Sequence, residues 1–279
     1  CRSATLRHPC PSMEVGDVSL VASSGAVLSM SEKAALQSSV PLLKKQYRFG
    51  SVKLFGKIKG KSSDYLIAMG EESTGTKKYF FSLDAVTWAQ LPELTAEMKA
   101  LCAKLPAGLP FTGDISHAIT LEAPEPAEDE EPSEPPTVTE EVRLAVAVET
   151  IEMECALAPT GALISSLADG HLKANPNYKG IDLTAAKSLS SYVFVNCQTP
   201  TSVLAGVAPA DRLSSLASAE SAVPAGSLCT RYDEATGAVQ VRSLLWPGHV
   251  AFVKPGTPVH GYCYFGNAVK NTDIAFMLP

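Results

Sequence analysis

The sequence lacks the features that mark membrane-spanning, disulfide-rich and zinc-binding chains. No apolar run approaches the ~20 residues that a helix needs to cross a bilayer. The seven cysteines stand at wide, irregular spacings without a CxxC pair, which argues against a disulfide framework and a thiolate zinc site. We therefore expect reduced cysteines that pack as small apolar side chains in a cytosolic protein, with no membrane partner.

The first twelve residues also lack the marks of a signal peptide. CRSATLRHPCPS contains neither an apolar stretch nor a small-residue cleavage site. Met13 follows and fits the role of the first translated residue. We expect residues 1–12 to be an upstream extension without a structural role.

Basic clusters are absent, and negative charge is concentrated in one segment. The net charge is −6, and Glu122–Glu141 holds nine acidic residues, five prolines and no basic residue. The rest of the chain has a small excess of basic residues but no basic patch typical of nucleic-acid binding. Charge repulsion and proline predict a linker or long surface loop at residues 122–136. An acidic docking strip for a partner is the open alternative.

Residues 13–121 have the pattern of an N-terminal α+β lobe. Ser29 and Glu32 have the spacing of a capping box, and Pro41 is expected to end or kink the helix that follows. Pro92 is placed to open a second helix, ELTAEMKALCAKL, whose leucine stripe predicts packing against a sheet. The sheet itself is predicted as an antiparallel meander of SVKLFGKI, DYLIAMG and KKYFFSL.

Residues 137–279 have the pattern of a second α+β lobe. Thr137 and Glu140 again fit a capping box, and EEVRLAVAVETIEMEC follows as a helix, although its alternating valines and leucines would also suit a strand. A short strand in ECALAPTGAL, a short helix after Asp182 and a strand at YVFVN come next. The last part is predicted as four antiparallel strands, GSLCTRY, AVQVRSLLW, HVAFV and HGYCYFG. The predicted fold class is α+β, with antiparallel meander sheets, a few packed helices and two lobes joined by the acidic linker.

The sharpest local signal is the Trp-Pro-Gly break between two of these strands. Proline fixes φ and glycine accepts positive φ, so Pro247-Gly248 predicts a corner that Trp246 seals. A different interpretation places Trp246, His249, His260 and Cys263 around a small-molecule site. On that interpretation His249 and His260 lie close together across the hairpin.

Known chemical motifs are missing. GKIKGKSS, from Gly56 to Ser63, has three rather than four residues between its glycines and precedes a strand, so it predicts a lysine-flanked turn rather than a phosphate loop. The histidines never fall at HExxH or HxH spacing, and neither a GxSxG elbow nor a dinucleotide fingerprint occurs. We expect no catalytic, cofactor-binding or metal-ligating residues. Strand edges and the apolar tail TDIAFML are the expected places for contact with another chain.

One family resemblance runs along the chain. VRSLLWPGHVAFV and GYCYFGNAVKNTDIAFML resemble the end of the radial spoke head protein 9 family. LLKKQYRFGSVKLFGKIKG, FSLDAVTWAQLP, EVRLAVAVETIE and GIDLTAAKSLSSY match earlier blocks in the same order. The longer spoke head proteins 4 and 6 share versions of the later blocks, and the short length here favours protein 9.

The resemblance implies a non-enzymatic structural subunit in the cytoskeleton of motile cilia and flagella. Such a subunit assembles with spoke head proteins 4 and 6 and other spoke subunits in the axoneme. The spoke relays mechanical signals from the central pair of microtubules, which it contacts indirectly, to the dynein arms. The family offers no catalytic or cofactor residues to transfer.

Overall fold

A computed structural model describes residues 13–72, 76–106, 108–121, 135–165, 172–195, 216–222 and 224–274. The expected extension at residues 1–12 lies outside the described residues, as does the expected linker except for its last two residues. The helices are α1 (Met30–Tyr47), α2 (Ala96–Ala103), α3 (Glu140–Cys155) and α4 (Leu183–Ala186), with 3₁₀ helices at Val15–Ser24, Leu189–Ser191 and Ala219–Ser221. None of the described helices combines the length and apolarity that a bilayer crossing requires.

Strands from both ends of the chain meet in one central sheet. Its members, with the order β11-β12-β13-β14-β1-β2-β3-β4, are β1 (Ser51–Ile58), β2 (Tyr65–Glu71), β3 (Lys77–Ser82), β4 (Ala89–Gln90), β11 (Leu228–Asp233), β12 (Ala238–Ser243), β13 (His249–Val253) and β14 (His260–Gly266). Three short antiparallel pairs are β5 (Ala118–Thr120) with β6 (Thr137–Thr139), β7 (Leu157–Pro159) with β10 (Tyr192–Phe194), and β8 (Leu163–Ser165) with β9 (Leu172–Ala174). The predicted meanders and the α+β class are confirmed.

The junction between the two meanders is a parallel pairing of β1 with β14. Gly56 lies opposite Tyr264 in this ladder. Its φ is +149°, and a Cβ at this position would lie 1.9 Å from the Tyr264 carbonyl oxygen, so only glycine fits here. The sequence does not predict whether the two lobes share a sheet. The structure shows that strands of both lobes belong to the central sheet. The lobe boundaries themselves stay a prediction.

The central sheet is covered on two faces, which we call the α3 face and the α1 face. A bulge in β1 shifts the pairing between Leu54 and Gly56, so Phe55 and Ile58 both point toward α3 despite their odd spacing. The α3 face buries Phe55, Tyr65, Ile67, Phe81, Trp246 and Tyr264 against Leu144, Val148 and Ile151 of α3. The α1 face buries Leu54, Leu66, Val250, Phe252 and Cys263 against α1 and the first 3₁₀ helix.

The first helix is longer than the sequence predicted. The Ser29–Glu32 capping box is confirmed, with the Glu32 N–H 3.1 Å from the Ser29 hydroxyl. Pro41 does not end the helix, which continues to Tyr47. Pro41 and Gln37, whose carbonyl would have received the missing N–H, are both exposed. Water can therefore take the place of that donor.

Two helix starts also differ from their predictions. Helix α2 begins at Ala96, capped by Thr95, rather than beside Pro92. It contains no buried residue and contacts α3, so the prediction that it packs directly on the sheet was wrong. Helix α3 is capped by Thr139, and Thr137 belongs to β6. The predicted capping box fails because the Glu140 carboxylate is used elsewhere.

Candidate functional site: the Trp-Pro-Gly corner

The corner between β12 and β13 is a tight, buried turn. Gly248 has a φ of +104°, and a Cβ there would lie 2.3 Å from the Phe265 carbonyl oxygen. Trp246 is 5% exposed, and its N–H donates to the Ser243 hydroxyl at 3.1 Å. The predicted corner, with glycine at positive φ and a sealing indole, is confirmed.

The indole also ties the corner to α3. Trp246 Nε1–H donates to Glu154 Oε2 at 2.7 Å, and Lys270 Nζ donates to the other oxygen of the same carboxylate at 2.8 Å. Because Glu154 lies in the last turn of α3, this contact fixes the corner against the C-terminal end of the helix. The bond also satisfies the one polar group of a buried indole.

A second carboxylate of α3 bridges the two meanders. Glu152 is 3% exposed, and its Oε1 accepts from Lys77 Nζ and from the Tyr262 hydroxyl, each at 2.5 Å. Lys77 belongs to β3 and Tyr262 to β14, on either side of the parallel junction. A buried charge needs partners of this kind, because an unpaired charge in the interior is strongly unfavourable.

A third carboxylate fixes the start of α3. Glu140 is fully buried and accepts from the Tyr65 hydroxyl at 2.8 Å, the Thr112 N–H at 2.8 Å and the Gly113 N–H at 2.9 Å. Burial alone would raise the pKa of Glu140, but these donors together lower it below its usual value. One turn later, the Arg143 guanidinium lies 4.1 Å from the Phe111 ring centroid and donates to the carbonyls of Leu109 and Pro110.

Sequence reasoning missed these charged residues of α3, although a signal for them was present. Glu140 stands four residues before Leu144, and Glu152 stands four residues after Val148, so both lie on the apolar stripe that packs on the sheet. A carboxylate on the buried stripe of a helix predicts a partner on the facing element. The identity of that partner was not readable from the helix alone.

The four side chains of the small-molecule interpretation do not come together. Trp246 packs on the α3 face, whereas Cys263 packs on the α1 face. His249 lies opposite Tyr264, and His260 lies opposite Val253. The turn at residues 254–258 joins the end of β13 to the start of β14. His260 therefore lies at the turn end of the hairpin, and His249 lies at the opposite end. The prediction that they lie close together was wrong.

Burial shifts the pKa values of three of these groups. His249 is 2% exposed, and burial lowers its pKa to about 4, although the nearby Glu152 opposes this shift. Burial raises the pKa of the Cys263 thiol, so the thiolate that a nucleophile requires is disfavoured. The pKa of His260 is also lowered by burial, and its Nδ1 lies 2.8 Å from the Pro258 carbonyl oxygen. Tyr178 packs edge-on against His260.

Two concave regions flank the corner. The first, which we call the corner cavity, has a volume of about 410 Å³ and is lined by Ser24, Arg242, Ser243, Leu244, Pro247, Gly248, His249, Val250, Asn271 and Ile274. The second, a cleft of about 220 Å³, adjoins Trp246, Arg143 and Cys102. Of the four residues in the small-molecule interpretation, only His249 lines the corner cavity.

Other predicted features have ordinary surroundings. Gly56 and Gly60 lie in β1 and in the turn that follows it, and β2 rather than a helix comes next. Among the described residues, no three histidine, cysteine or acidic side chains are grouped to hold a metal ion. The described cysteines, Cys102, Cys155, Cys229 and Cys263, are free thiols. Of the tail, Ile274 is buried, and residues 275–279 lie outside the described residues.

No protein-family model matches the chain. Among curated proteins, it is 37% identical over 270 residues to the radial spoke head protein 9 homolog of Danio rerio. It is 34% identical over 268 residues to the homologs of Bos taurus and of Homo sapiens. Each alignment covers 93% of this chain and 96% of the relative.

Proposed function

The chain belongs to the radial spoke head protein 9 family, and from this premise we propose that it is a non-enzymatic structural subunit of the radial spoke head in motile cilia and flagella. The observation that carries the proposal is the extent of the similarity, which covers 93% of this chain and 96% of each named relative. A subunit of this kind resides in the axoneme, within the cytoskeleton of the cilium. It helps to relay mechanical signals between the central pair and the dynein arms.

The physical basis of such a role is resistance to deformation. The central sheet runs without a break from β11 to β4, so strands from both ends of the chain share one hydrogen-bonded body. Glu140, Glu152 and Glu154 bind α3 to three separate places on that body. A close-packed interior of this type transmits strain instead of absorbing it.

The proposed partners are spoke head proteins of the 4 and 6 types together with further spoke subunits. Within the described residues, the two edges of the central sheet are β4 and β11. Cys229, Thr230 and Arg231 of β11 are exposed. An exposed strand edge offers backbone donors and acceptors to a strand of another chain, which makes these edges candidate contacts.

The alternatives are a small-molecule enzyme and a transient cytosolic adaptor. The dispersal of Trp246, His249, His260 and Cys263 to different faces and strand ends disfavours the enzyme, because catalysis requires converging groups. A ligand that binds the folded state raises the melting temperature. We therefore expect no change in melting temperature when nucleotides and common metabolites are added. A saturable rise of several degrees with one of them would favour the enzyme.

The direct test is the behaviour of the tagged full-length chain in a ciliated cell. After detergent removes the membrane, we expect the chain to stay with the axoneme and to be extracted only together with other spoke proteins. Native mass spectrometry after mild cross-linking would then place it in the same particle as the spoke head subunits. Release into the detergent-soluble fraction, with the spoke head intact in the pellet, would contradict the proposal and favour a transient adaptor.

A further inference from the structure

The corner cavity has an unbalanced positive charge. Among the described residues, Arg242 is the one charged residue of its lining, and no aspartate or glutamate lines it. One Nη2–H of Arg242 donates to the Ser23 carbonyl at 3.2 Å. That contact leaves most of the five guanidinium donors available, and a carboxylate is the group that best matches their planar geometry.

Buried polar atoms beside this cation lack partners. The Nε of Arg242 is buried and makes no hydrogen bond within the described residues. His249 is 2% exposed, and both of its ring nitrogens are likewise buried without a hydrogen bond within the described residues. Buried polar groups are nearly always hydrogen-bonded in complete structures. The Nε–H of Arg242 therefore lacks an acceptor within the described part of this chain, and neutral His249, with one donor and one acceptor nitrogen, lacks both of its partners there.

Apolar side chains form part of the remaining lining, beside the polar Ser24, Ser243 and Asn271. Pro247, Val250 and Ile274 form part of the lining, and Leu244 lines it while being 37% exposed. Because an exposed residue belongs to the lining, the cavity reaches the surface. Arginine is one of the residue types enriched among the side chains that contribute most to binding in protein–protein interfaces.

We propose that the corner cavity receives an acidic side chain of a neighbouring spoke head subunit, with the carboxylate on Arg242 and the stem against Leu244 and Val250. This inference rests on the proposed function, because it requires a neighbour in a stable assembly. A volume of about 410 Å³ is ample for one glutamate side chain and the backbone that carries it. The permanent charge of Arg242 selects an acidic residue, and the apolar rim favours a protein side chain over an inorganic anion.

The first test converts the contact into a covalent bond. Arg242→Lys places a primary amine in the cavity, and a water-soluble carbodiimide joins an amine to a carboxylate only when the two are in contact. In spoke heads isolated from cells that express the full-length variant, we expect the introduced amine to be coupled to an aspartate or glutamate of another subunit. Arg48→Lys, at the exposed C-terminal end of α1, is the matched control and should not give this product.

Two ion pairs within the chain serve as internal references for the coupling. Lys57 and Glu32 lie 2.7 Å apart, and Lys99 and Glu149 lie 2.5 Å apart. If these pairs are coupled but the amine introduced in the cavity is not, or if that amine is coupled to its own chain, the inference is wrong and the proposed function stands. If the wild-type chain is missing from isolated spoke heads, the proposed function and the inference both fail.

The second test measures affinity. Loss of one partner from a buried ion pair weakens binding by ~30-fold or more, so Arg242→Gln should reduce association of the chain with spoke heads from cells that lack it by that factor. Arg48→Gln should change the affinity by less than about twofold. The melting temperature of each variant identifies any loss that stems from unfolding. Equal affinity of a folded Arg242→Gln chain would overturn the inference.

Discussion

The two faces of the central sheet are held by different chemistry. On the α3 face, Glu140 and Glu152 are buried carboxylates, each with several donors from facing elements. On the α1 face, two buried side chains make neutral contacts: Ser39 Oγ–H donates to the Ala85 carbonyl at 2.7 Å, and Gln240 Nε2–H donates to the Leu20 carbonyl at 2.8 Å. The pair of Lys57 with Glu32, which also joins α1 to the sheet, is partly exposed.

The different contacts on the two faces position α1 and α3 in different ways. The hydrophobic effect is non-directional, so α1 is positioned on its face mainly by the fit of apolar side chains. A buried carboxylate is not tolerant of small shifts, because each missed donor leaves an unpaired charge. Helix α3 is therefore fixed in one place by its charges, and the Trp-Pro-Gly corner is fixed with it through Glu154.

The largest expected effect on stability comes from a change at the parallel junction of β1 with β14. Gly56→Ala would place a methyl group 1.9 Å from the Tyr264 carbonyl oxygen and impose a disfavoured φ. We expect the free energy of unfolding to fall by about 3–5 kcal/mol, as measured by urea unfolding with circular dichroism. The control is Gly16→Ala, where a Cβ meets nothing within 4 Å and the change should stay within about 0.5 kcal/mol. If the two variants had equal urea midpoints, the β1–β14 junction would accept a side chain at position 56 without loss of stability.

A smaller effect tests the comparison of the faces directly. Glu140→Ala leaves the Tyr65 hydroxyl and the N–H groups of Thr112 and Gly113 without their acceptor, and we expect a loss of about 3 kcal/mol. Ser39→Ala removes one neutral hydrogen bond from the α1 face, with an expected loss of about 1 kcal/mol. The same urea experiment measures both. If Ser39→Ala costs as much as Glu140→Ala, the proposed difference between the faces is wrong.

The Glu140 effect should also depend on pH. Because folding lowers the pKa of Glu140, its ionic contribution is present above the unfolded pKa near 4.5 and is lost as pH falls through the folded value. The stability difference between the wild type and Glu140→Ala should therefore shrink below about pH 4.5. A difference that stays constant down to about pH 3 would mean that Glu140 acts by packing and not by charge.

The last predicted effect concerns His249, which lies at the corner end of β13. Its folded pKa of about 4 lies below the unfolded value of 6.5, so the unfolded state takes up the proton first and stability falls as pH drops from 6.5 toward 4. Between pH 7 and pH 5, the free energy of unfolding should fall by about 2 kcal/mol more in the wild type than in His249→Leu. His260→Leu is the matched variant at the opposite end of the hairpin. Parallel stability curves for the wild type and His249→Leu would show that His249 is protonated without cost.

Local signals in the sequence predicted most strands because each rests on short-range chemistry. The Ser29 capping box and the glycine at the Trp-Pro-Gly corner were both readable from neighbouring residues. The start of α3 was misplaced because Thr137 and Thr139 are equally good caps by composition. Pairing of Ala118–Thr120 with Thr137–Thr139 in the β5–β6 hairpin decides between them. The partner of Thr137 lies across the acidic segment, beyond the reach of local patterns.

By itself, the sequence determined the α+β class, the strand-rich order and the family, since these depend on periodicity and on residues close together in the chain. The tertiary structure decided that β1 pairs with β14, that Gly56 is required at their junction, and that the acids of α3 reach Tyr65, Lys77, Tyr262 and Trp246. The physical reason is the same in each case. Whether a buried charge or a glycine is needed depends on the atom that faces it, and folding alone brings that atom within a few ångströms.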